Sequence, residues 1–146
     1  MAENRDLEAL YLATQKATFG APTIEEAKAN WDTYVSPRFI AERNGVKFNS
    51  ESYKEAMIEV KTQFPDFDVR WKKFIVGPRQ VAALSYIWVP SAGLWFDSSC
   101  FIEFGEVGTE DEKRAVKFVE VVELGPKDRD PNSDEAKSIT VVNQRV

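Results

Sequence analysis

The sequence predicts an α+β fold, with helices in the first half of the chain and a curved antiparallel sheet in the second. In the first half, apolar residues recur at the three- and four-residue spacing of amphipathic helices. In the second half, long runs rich in β-branched and aromatic residues are separated by short turns, as in antiparallel hairpins. Such a sheet can wrap around the N-terminal helices and leave a cone-shaped hollow, so we expect a cone-shaped α+β barrel.

Three helices are predicted before Pro65, which stops the third. The first ends at the breaker 19–22 (Phe-Gly-Ala-Pro), and the second begins at Thr23, whose hydroxyl can accept a hydrogen bond from the first helical turn. The second helix ends at Ser36-Pro37, because the residue before a proline disfavours helical backbone. The predicted apolar faces are Leu7, Leu10 and Tyr11 in the first helix, Ile24, Ala27, Trp31 and Tyr34 in the second, and Tyr53, Ala56, Met57, Val60 and Phe64 in the third.

The predicted strands form one short hairpin in the first half of the chain and four longer strands in the second half. Asn44-Gly45 lies between two short apolar runs, which is typical of a tight hairpin turn. The predicted long strands, each followed by a glycine-proline pair, a polar turn or a proline-containing turn, are 67–76, 80–89, 94–104 and 114–124. Residues 1–125 are therefore expected to form one domain. Residues 126–146 are predicted to be a polar, flexible C-terminal tail, in which 139–142 could add a short strand.

The composition limits the chemistry that this chain can perform. The 146 residues include no histidine and one cysteine, and the net charge is −5. Catalytic triads with histidine, histidine-bound metals, intrachain disulfides and thiolate zinc sites are excluded, and we expect no metal or other cofactor. The acidic balance disfavours a nucleic-acid partner, and no apolar run approaches the ~20 residues that span a membrane. A charged N-terminus without an apolar signal core favours a cytoplasmic location.

Four segments carry a resemblance to a known superfamily: residues 31–39, 52–57, 63–69 and 116–123. With these segments in this order, about residues 5–124 resemble the nuclear-transport-factor-2-like superfamily, in particular the SnoaL-like proteins. That group includes polyketide cyclases, ketosteroid isomerases, limonene-epoxide-hydrolase-like enzymes and scytalone dehydratases. The resemblance implies a small-molecule site inside the cone, on strand residues that face the helices.

Two glutamates are candidates for proton transfer. Lys117 and Glu123 are expected to face outward on the closing strand, so strand alternation places Glu120 inside, between apolar neighbours. A carboxylate enclosed in this way can act as an acid or base near neutral pH. In the short strand, the resemblance places Glu42 near the general base of the ketosteroid isomerases. For Glu120 the alternatives are an ion pair with Arg or Lys, or an outward position if the register slips by one residue. For Glu42 the alternative is a surface salt bridge with Arg43.

The other candidates are residues that would contact a ligand. Leu84, Tyr86 and Trp88 share one face of their strand, and the resemblance implies that this is the inner face. Ser98 and Cys100 are placed inside on the next strand, with Cys100 where ketosteroid isomerases hold a hydrogen-bonding acid. Ser98, Tyr86 and Tyr34 could hydrogen-bond a developing oxyanion. The remaining candidates are Tyr11, Trp31 and Phe118. Ordinary core packing is the alternative for the aromatic residues, and a small buried filler for Cys100.

These residues imply a small-molecule enzyme that performs cofactor-free acid–base chemistry on an apolar, oxygenated, polyketide- or terpenoid-like intermediate. Isomerisation, cyclisation, dehydration and hydrolysis all remain open. The chain departs from known sites of the superfamily: it lacks the histidines of scytalone dehydratases, and Tyr86 and Trp88 stand where limonene epoxide hydrolases have Arg and Asp. The alternative is a non-catalytic binding or dimeric scaffold protein. Val119 and Val121 would then mark a homodimer interface on the outer sheet face.

Overall fold

The computed structural model of this protein describes residues 6–138. Its elements are α1 (Leu7–Ala17), α2 (Ile24–Tyr34), β1 (Val35–Arg43), β2 (Val46–Asn49), α3 (Ser50–Gln63), β3 (Asp68–Val76), β4 (Gln80–Val89), β5 (Leu94–Phe104) and β6 (Ala115–Leu124). This order confirms the α+β class, the short hairpin and the four long strands. Within residues 6–138, no helix combines the length and apolar character needed to cross a membrane.

Local side-chain chemistry fixes where the helices begin. The Thr23 hydroxyl accepts a hydrogen bond from the Glu26 amide at 3.1 Å at the start of α2. At the start of α3, Asn49 and Ser52 exchange two hydrogen bonds between side chain and backbone, at 2.8 and 2.9 Å. Caps of this kind contribute about 1 kcal/mol each. The helix starts are therefore determined locally.

The six strands form one curved, unclosed sheet in the order β2-β1-β6-β5-β4-β3. Neighbouring strands are antiparallel except for β1 and β6, which run parallel, so the sheet is mixed rather than wholly antiparallel. No hairpin joins β1 to β6, so the connection between them does not impose an antiparallel arrangement. Their parallel register places Arg43 opposite Glu120, which are far apart in the sequence.

The core lies between the helices and the concave face of the sheet. Tyr53 and Met57 are the buried residues of α3. Tyr53 is surrounded by rings from the sheet, with centroid distances of 5.7 Å to Phe39, 5.2 Å to Phe48 and 5.7 Å to Phe118. Aromatic pairs at these distances stabilise the core beyond their buried area. They also hold the Tyr53 side chain in a fixed position over the sheet.

The outer face of β4 and β5 is covered by the C-terminal segment 126–138. Trp95 is 1% exposed although it points away from the helices, and its indole N–H donates to the Arg129 carbonyl at 2.9 Å. The Arg129 guanidinium lies 3.7 Å from the Tyr86 ring centroid and donates to both carboxylate oxygens of Asp97, at 2.8 and 3.3 Å. Residues 126–138, which the sequence predicts to be a flexible tail, make these specific contacts with the sheet, and their flexibility stays a prediction. Residues 139–142, the predicted extra strand, lie outside the described residues.

The same segment is fixed to the edge strand β3 through its backbone. Arg70 donates to the carbonyls of Pro131 and Ala136, and the Lys72 ammonium donates to the Glu135 carbonyl at 2.7 Å. Ala136 is fully buried. These hydrogen bonds are accepted by main-chain carbonyls, which every residue carries. The polar composition of the segment therefore does not reveal that it packs against the sheet.

Candidate functional site

A cavity of about 410 Å³ opens between the concave face of the sheet and helices α1 and α3. This volume lies within the range of about 300–1,000 Å³ typical of small-molecule sites. Its wall is mostly apolar, and the phenylalanine and tryptophan members are Phe19, Phe64, Phe67, Trp71, Phe96 and Phe118. The cavity can therefore enclose an apolar molecule of moderate size.

A polar cluster formed by Arg43, Tyr53, Ser98 and Glu120 interrupts this apolar wall. The Arg43 Nε donates to Glu120 Oε1 at 3.0 Å, and the Ser98 hydroxyl donates to Glu120 Oε2 at 2.7 Å. Arg43 Nη2 donates to the Tyr53 hydroxyl at 2.9 Å. The Glu120 and Arg43 side chains are only 11% and 24% exposed, respectively, so the ion pair is shielded from water.

Two neighbouring strands position the charged residues of this cluster. Glu120 alternates with Phe118 and Val122 along β6, and all three line the cavity, as the sequence alternation predicts. Asn44 extends the ladder beyond β1: its side chain donates to the Val122 carbonyl at 3.0 Å and accepts from the Val122 amide at 2.8 Å. Its own amide donates to the Glu120 carbonyl at 3.0 Å. Asn44 thereby fixes Arg43 in register with Glu120.

The cluster retains hydrogen-bonding capacity toward the cavity. Each Glu120 oxygen accepts one hydrogen bond from the protein, which leaves acceptor capacity on both. The Tyr53 hydroxyl accepts from Arg43, so its own proton is left to donate. Arg43 Nη1 makes no hydrogen bond to any residue in the range 6–138. An acceptor and two donors therefore lie side by side on an apolar wall.

Burial keeps the hydroxyl and thiol groups near the cluster protonated. Desolvation raises the pKa of Tyr53 well above its usual range, and the negative charge of Glu120 adds to the effect. Burial likewise raises the pKa of Tyr11, and it raises the pKa of Cys100 to about 12. Burial acts to lower the pKa of Arg43, but Tyr53 and Glu120 outweigh it and the pKa is raised. Near neutral pH, Arg43 is thus a cation and the two tyrosines are neutral donors.

The structure brings several of the predicted site residues together. Tyr11, Ser98, Phe118 and Glu120 all line the cavity. Cys100 faces the same side of β5 as Ser98, behind the cavity lining, and its sulfur lies 3.3 Å from the Tyr11 hydroxyl. Their placement agrees with the sequence analysis, and their roles stay predictions.

The predicted inner face of β4 is wrong. Leu84, Tyr86 and Trp88 lie on the outer face, where Leu84 is 44% exposed and Trp88 packs on Trp95 with ring centroids 4.8 Å apart. The residues of β4 that line the cavity are Ser85, Ile87 and Val89. Both faces of this strand are apolar, because the C-terminal segment covers its outer side. Alternation alone therefore cannot show which face is inside.

Three other candidates lie away from the cavity. Glu42 points to the opposite side of β1 from Arg43, because the buried Ala41 shares the inner face with Arg43. Trp31 is a buried core residue whose indole N–H donates to the Ser50 hydroxyl at 3.1 Å. It borders a side cavity of about 20 Å³, which has room for about one water molecule. Tyr34, the last residue of α2, packs half-buried against the core.

The sequence does not identify two residues of the cluster, Arg43 and Tyr53, as site residues. It offers a surface salt bridge to Glu42 as one possibility for Arg43, and it places Tyr53 on the apolar face of the third helix. The period of the short strand does place Arg43 on the face of Phe39 and Ala41, and this was the available signal. No local pattern distinguishes Tyr53 from an ordinary core tyrosine.

Comparison with known proteins shows the fold. No family model matches the sequence, and no curated protein matches it. A SnoaL-like polyketide cyclase from Agrobacterium tumefaciens has 16% identity and a TM-score of 0.62, over 82% of this chain and 92% of its own. An NTF2-like protein of unknown function from Cytophaga hutchinsonii has 16% identity and a TM-score of 0.58, over 87% and 96%. A de novo designed protein with a curved β-sheet has 15% identity and a TM-score of 0.63, over 83% and 88%.

These similarities concern the backbone architecture. A designed protein matches about as well as a natural cyclase, so the likeness by itself carries no activity. The shared features are the curved sheet and the helices that pack in its concave face. The chain has the fold of the SnoaL-like and nuclear-transport-factor-2-like proteins, which confirms the resemblance drawn from its sequence.

Proposed function

We propose that this protein is a small-molecule enzyme that performs cofactor-free acid–base chemistry on an apolar, oxygenated molecule. The observation that supports this proposal most directly is the position of Glu120, whose carboxylate is 11% exposed on the wall of a cavity of about 410 Å³. Tyr53 and Arg43 lie beside it with hydrogen-bond donors available. A base next to donors is the arrangement that proton abstraction beside a carbonyl requires.

The chemistry follows from these groups. Glu120 takes a proton from the carbon next to a substrate carbonyl, and the C–H electron pair moves onto the carbonyl oxygen to form an enolate. The Tyr53 hydroxyl and Arg43 Nη1 donate hydrogen bonds to that oxygen. If the substrate has a β,γ carbon–carbon double bond, return of the proton to the γ carbon re-forms the carbonyl, shifts the double bond to the α,β position and completes an isomerisation. Attack of the enolate carbon on a second carbonyl of the same molecule, with the proton going to the new alkoxide, completes a cyclisation.

The cavity wall supports a ring-containing substrate. Phenylalanine and tryptophan side chains line much of it and bury apolar area well, and Arg43 and Glu120 form one polar cluster on this wall. A polyketide- or terpenoid-like intermediate has this distribution of apolar rings and few oxygens. The SnoaL-like polyketide cyclase among the similar structures agrees with this class of substrate.

The proposal is tested with 2-tetralone, a bicyclic ketone with exchangeable protons beside its carbonyl. In deuterated buffer, the native protein should accelerate deuterium incorporation, as followed by NMR. Glu120→Gln should lower this rate by about 100-fold or more, because the base is removed while the shape is kept. Glu42→Gln is the matched control, because it removes the same charge from a side chain on the face of the sheet that points away from the cavity. Equal rates for native protein and Glu120→Gln would refute the assignment.

A non-catalytic binding protein is the second candidate, and one observation favours it. Both Glu120 oxygens already accept hydrogen bonds, from Arg43 and Ser98, as expected of a structural ion pair. In that case the ketone should bind to the native protein, with no acceleration of exchange over the buffer rate. Calorimetric titration of 2-tetralone beside the exchange assay distinguishes the two candidates.

A homodimer through the outer sheet face is also proposed. Ile40, Leu84 and Val121 are 54%, 44% and 56% exposed on that face, beyond the part that the C-terminal segment covers. Exposed apolar side chains grouped on a sheet are typical of an interface. Sedimentation velocity should show a dimer for the native protein and a monomer for Val121→Glu. The cytoplasmic location and the absence of nucleic-acid and membrane partners stay predictions.

A further inference from the structure

The charges around the cavity are nearly balanced, and this bears on which ligands it accepts. Among residues 6–138, the charged residues that line it are Arg43, Glu120 and Glu123. Arg43 and Glu120 neutralise each other at 3.0 Å. Glu123 is exposed, and strand alternation from Glu120 and Val122 turns its side chain to the outer face of the sheet. We infer that the cavity selects neutral ligands and excludes carboxylates, and that the Arg43–Glu120 pair determines this choice. The inference rests on the proposal that the cavity binds a small molecule.

Arg43 is already paired inside the cavity. A lone arginine on an apolar wall would attract a carboxylate through its positive charge and two parallel N–H···O bonds. Here Nε is bonded to the Glu120 carboxylate and Nη2 to the Tyr53 hydroxyl. A ligand carboxylate would therefore meet a guanidinium whose charge is already cancelled by Glu120. Hydrogen bonds to the remaining N–H groups would not offset its loss of water.

Repulsion adds to this penalty. A carboxylate near the cluster would bring a second negative charge beside Glu120, where the surroundings are largely apolar and screening is weak. A neutral ketone or phenol meets neither penalty, because its oxygen needs only the donors of Tyr53 and Arg43. The pair therefore acts as a charge filter.

Single substitutions should then switch the preferred charge of the ligand. Glu120→Gln keeps the side-chain shape but leaves the Arg43 charge uncompensated, so a carboxylate becomes the favoured occupant. Arg43→Gln leaves Glu120 uncompensated, so an ammonium becomes favoured. The double variant Arg43→Gln/Glu120→Gln restores neutrality and should again prefer a neutral ligand. A residue that merely shapes the cavity would not produce such a reciprocal pattern.

The experiment uses three naphthalene probes of similar size: 2-acetylnaphthalene, 2-naphthoate and the 2-naphthylmethylammonium ion. Affinities are measured at pH 7 by calorimetric titration of the full-length chain. The native protein should bind the ketone at least about tenfold more tightly than the carboxylate, and Glu120→Gln should reverse that order. Glu42→Gln, which removes the same charge outside the cavity, should keep the native order. Circular dichroism verifies that each variant is folded.

The possible outcomes separate this inference from the proposed function. Equal native affinities for ketone and carboxylate, an unchanged order in Glu120→Gln, or no binding of any probe would overturn the charge filter. If Glu120→Gln does not fold, an ammonium preference in Arg43→Gln and a ketone preference in the double variant support the filter. Their absence overturns it. Charge selection without 2-tetralone exchange would refute catalysis alone, whereas exchange without charge selection would refute the filter alone.

Discussion

Replacing Arg129 by alanine tests whether the C-terminal segment is a structural part of the domain. The Arg129 side chain is 4% exposed. Its guanidinium donates to Asp97 at 2.8 and 3.3 Å and stacks on Tyr86 at 3.7 Å from the ring centroid. The substitution removes these contacts, together with the hydrogen bond to the exposed Glu135 and the contact with the Trp95 ring, and leaves the main-chain hydrogen bond from Trp95 in place.

The expected loss in the free energy of unfolding is about 3 kcal/mol. Hydrogen bonds between charged groups contribute about 1.5–3 kcal/mol. The Asp97 side chain is 33% exposed and can be hydrated once Arg129 is gone, so the two bonds together are taken as about 2 kcal/mol. The stacked cation on Tyr86 adds about 1 kcal/mol at a site this well shielded.

Urea unfolding followed by tryptophan fluorescence measures this loss. Arg129→Lys keeps the positive charge but lacks the planar fork, so it should lose most of the same stability. Arg79→Ala is the matched control, because Arg79 is 39% exposed and its partners are the surface residues Glu103 and Glu106. That control should cost about 0.5 kcal/mol.

A small loss of stability in Arg129→Ala would refute the structural role of the C-terminal segment. If Arg129→Ala destabilises the protein no more than Arg79→Ala does, the guanidinium contributes only what a surface ion pair contributes. Native-like stability of Arg129→Lys would show that charge alone is sufficient and that the stack on Tyr86 is unimportant. Either result would contradict the contacts from which the loss of about 3 kcal/mol in the free energy of unfolding is calculated.

Three further predictions concern individual polar groups. Asn44→Ala should destabilise the protein by about 1–2 kcal/mol in urea unfolding, because both side-chain bonds to the Val122 backbone are lost. Burial raises the pKa of the Cys100 thiol to about 12, so iodoacetamide at pH 8 should label the folded chain about a thousandfold more slowly than the urea-unfolded chain. Comparable labelling rates would contradict this burial. The Arg38 hydrogen bond lowers the pKa of Asp111, so its stabilising effect is present above the unfolded-state value and is lost as pH falls below about 4. Asp111→Asn should therefore flatten the decrease of Tm below that pH, and an unchanged slope would contradict the assignment.

The sequence by itself determined the order of the elements and the inward position of Glu120. Helix starts, hairpin turns and strand ends depend on residues within a few positions of each other, so local patterns predict them. Lys117 marks the outer face of the closing strand, and alternation then places Glu120 inside. The resemblance to the SnoaL-like proteins added the cone-shaped fold, which the similar structures confirm.

Only the tertiary structure decided which residues meet. Arg43 contacts Glu120 because β1 and β6 pair in parallel, and no local signal encodes a pairing between segments so distant in the chain. Tyr86 and Trp88 are outside, where Arg129 of the segment 126–138 stacks on Tyr86 and Trp88 packs on Trp95, so both faces of β4 are apolar. Alternation shows which side chains share a face. What packs against each face is a property of the whole chain, and that packing determined the composition of the cavity.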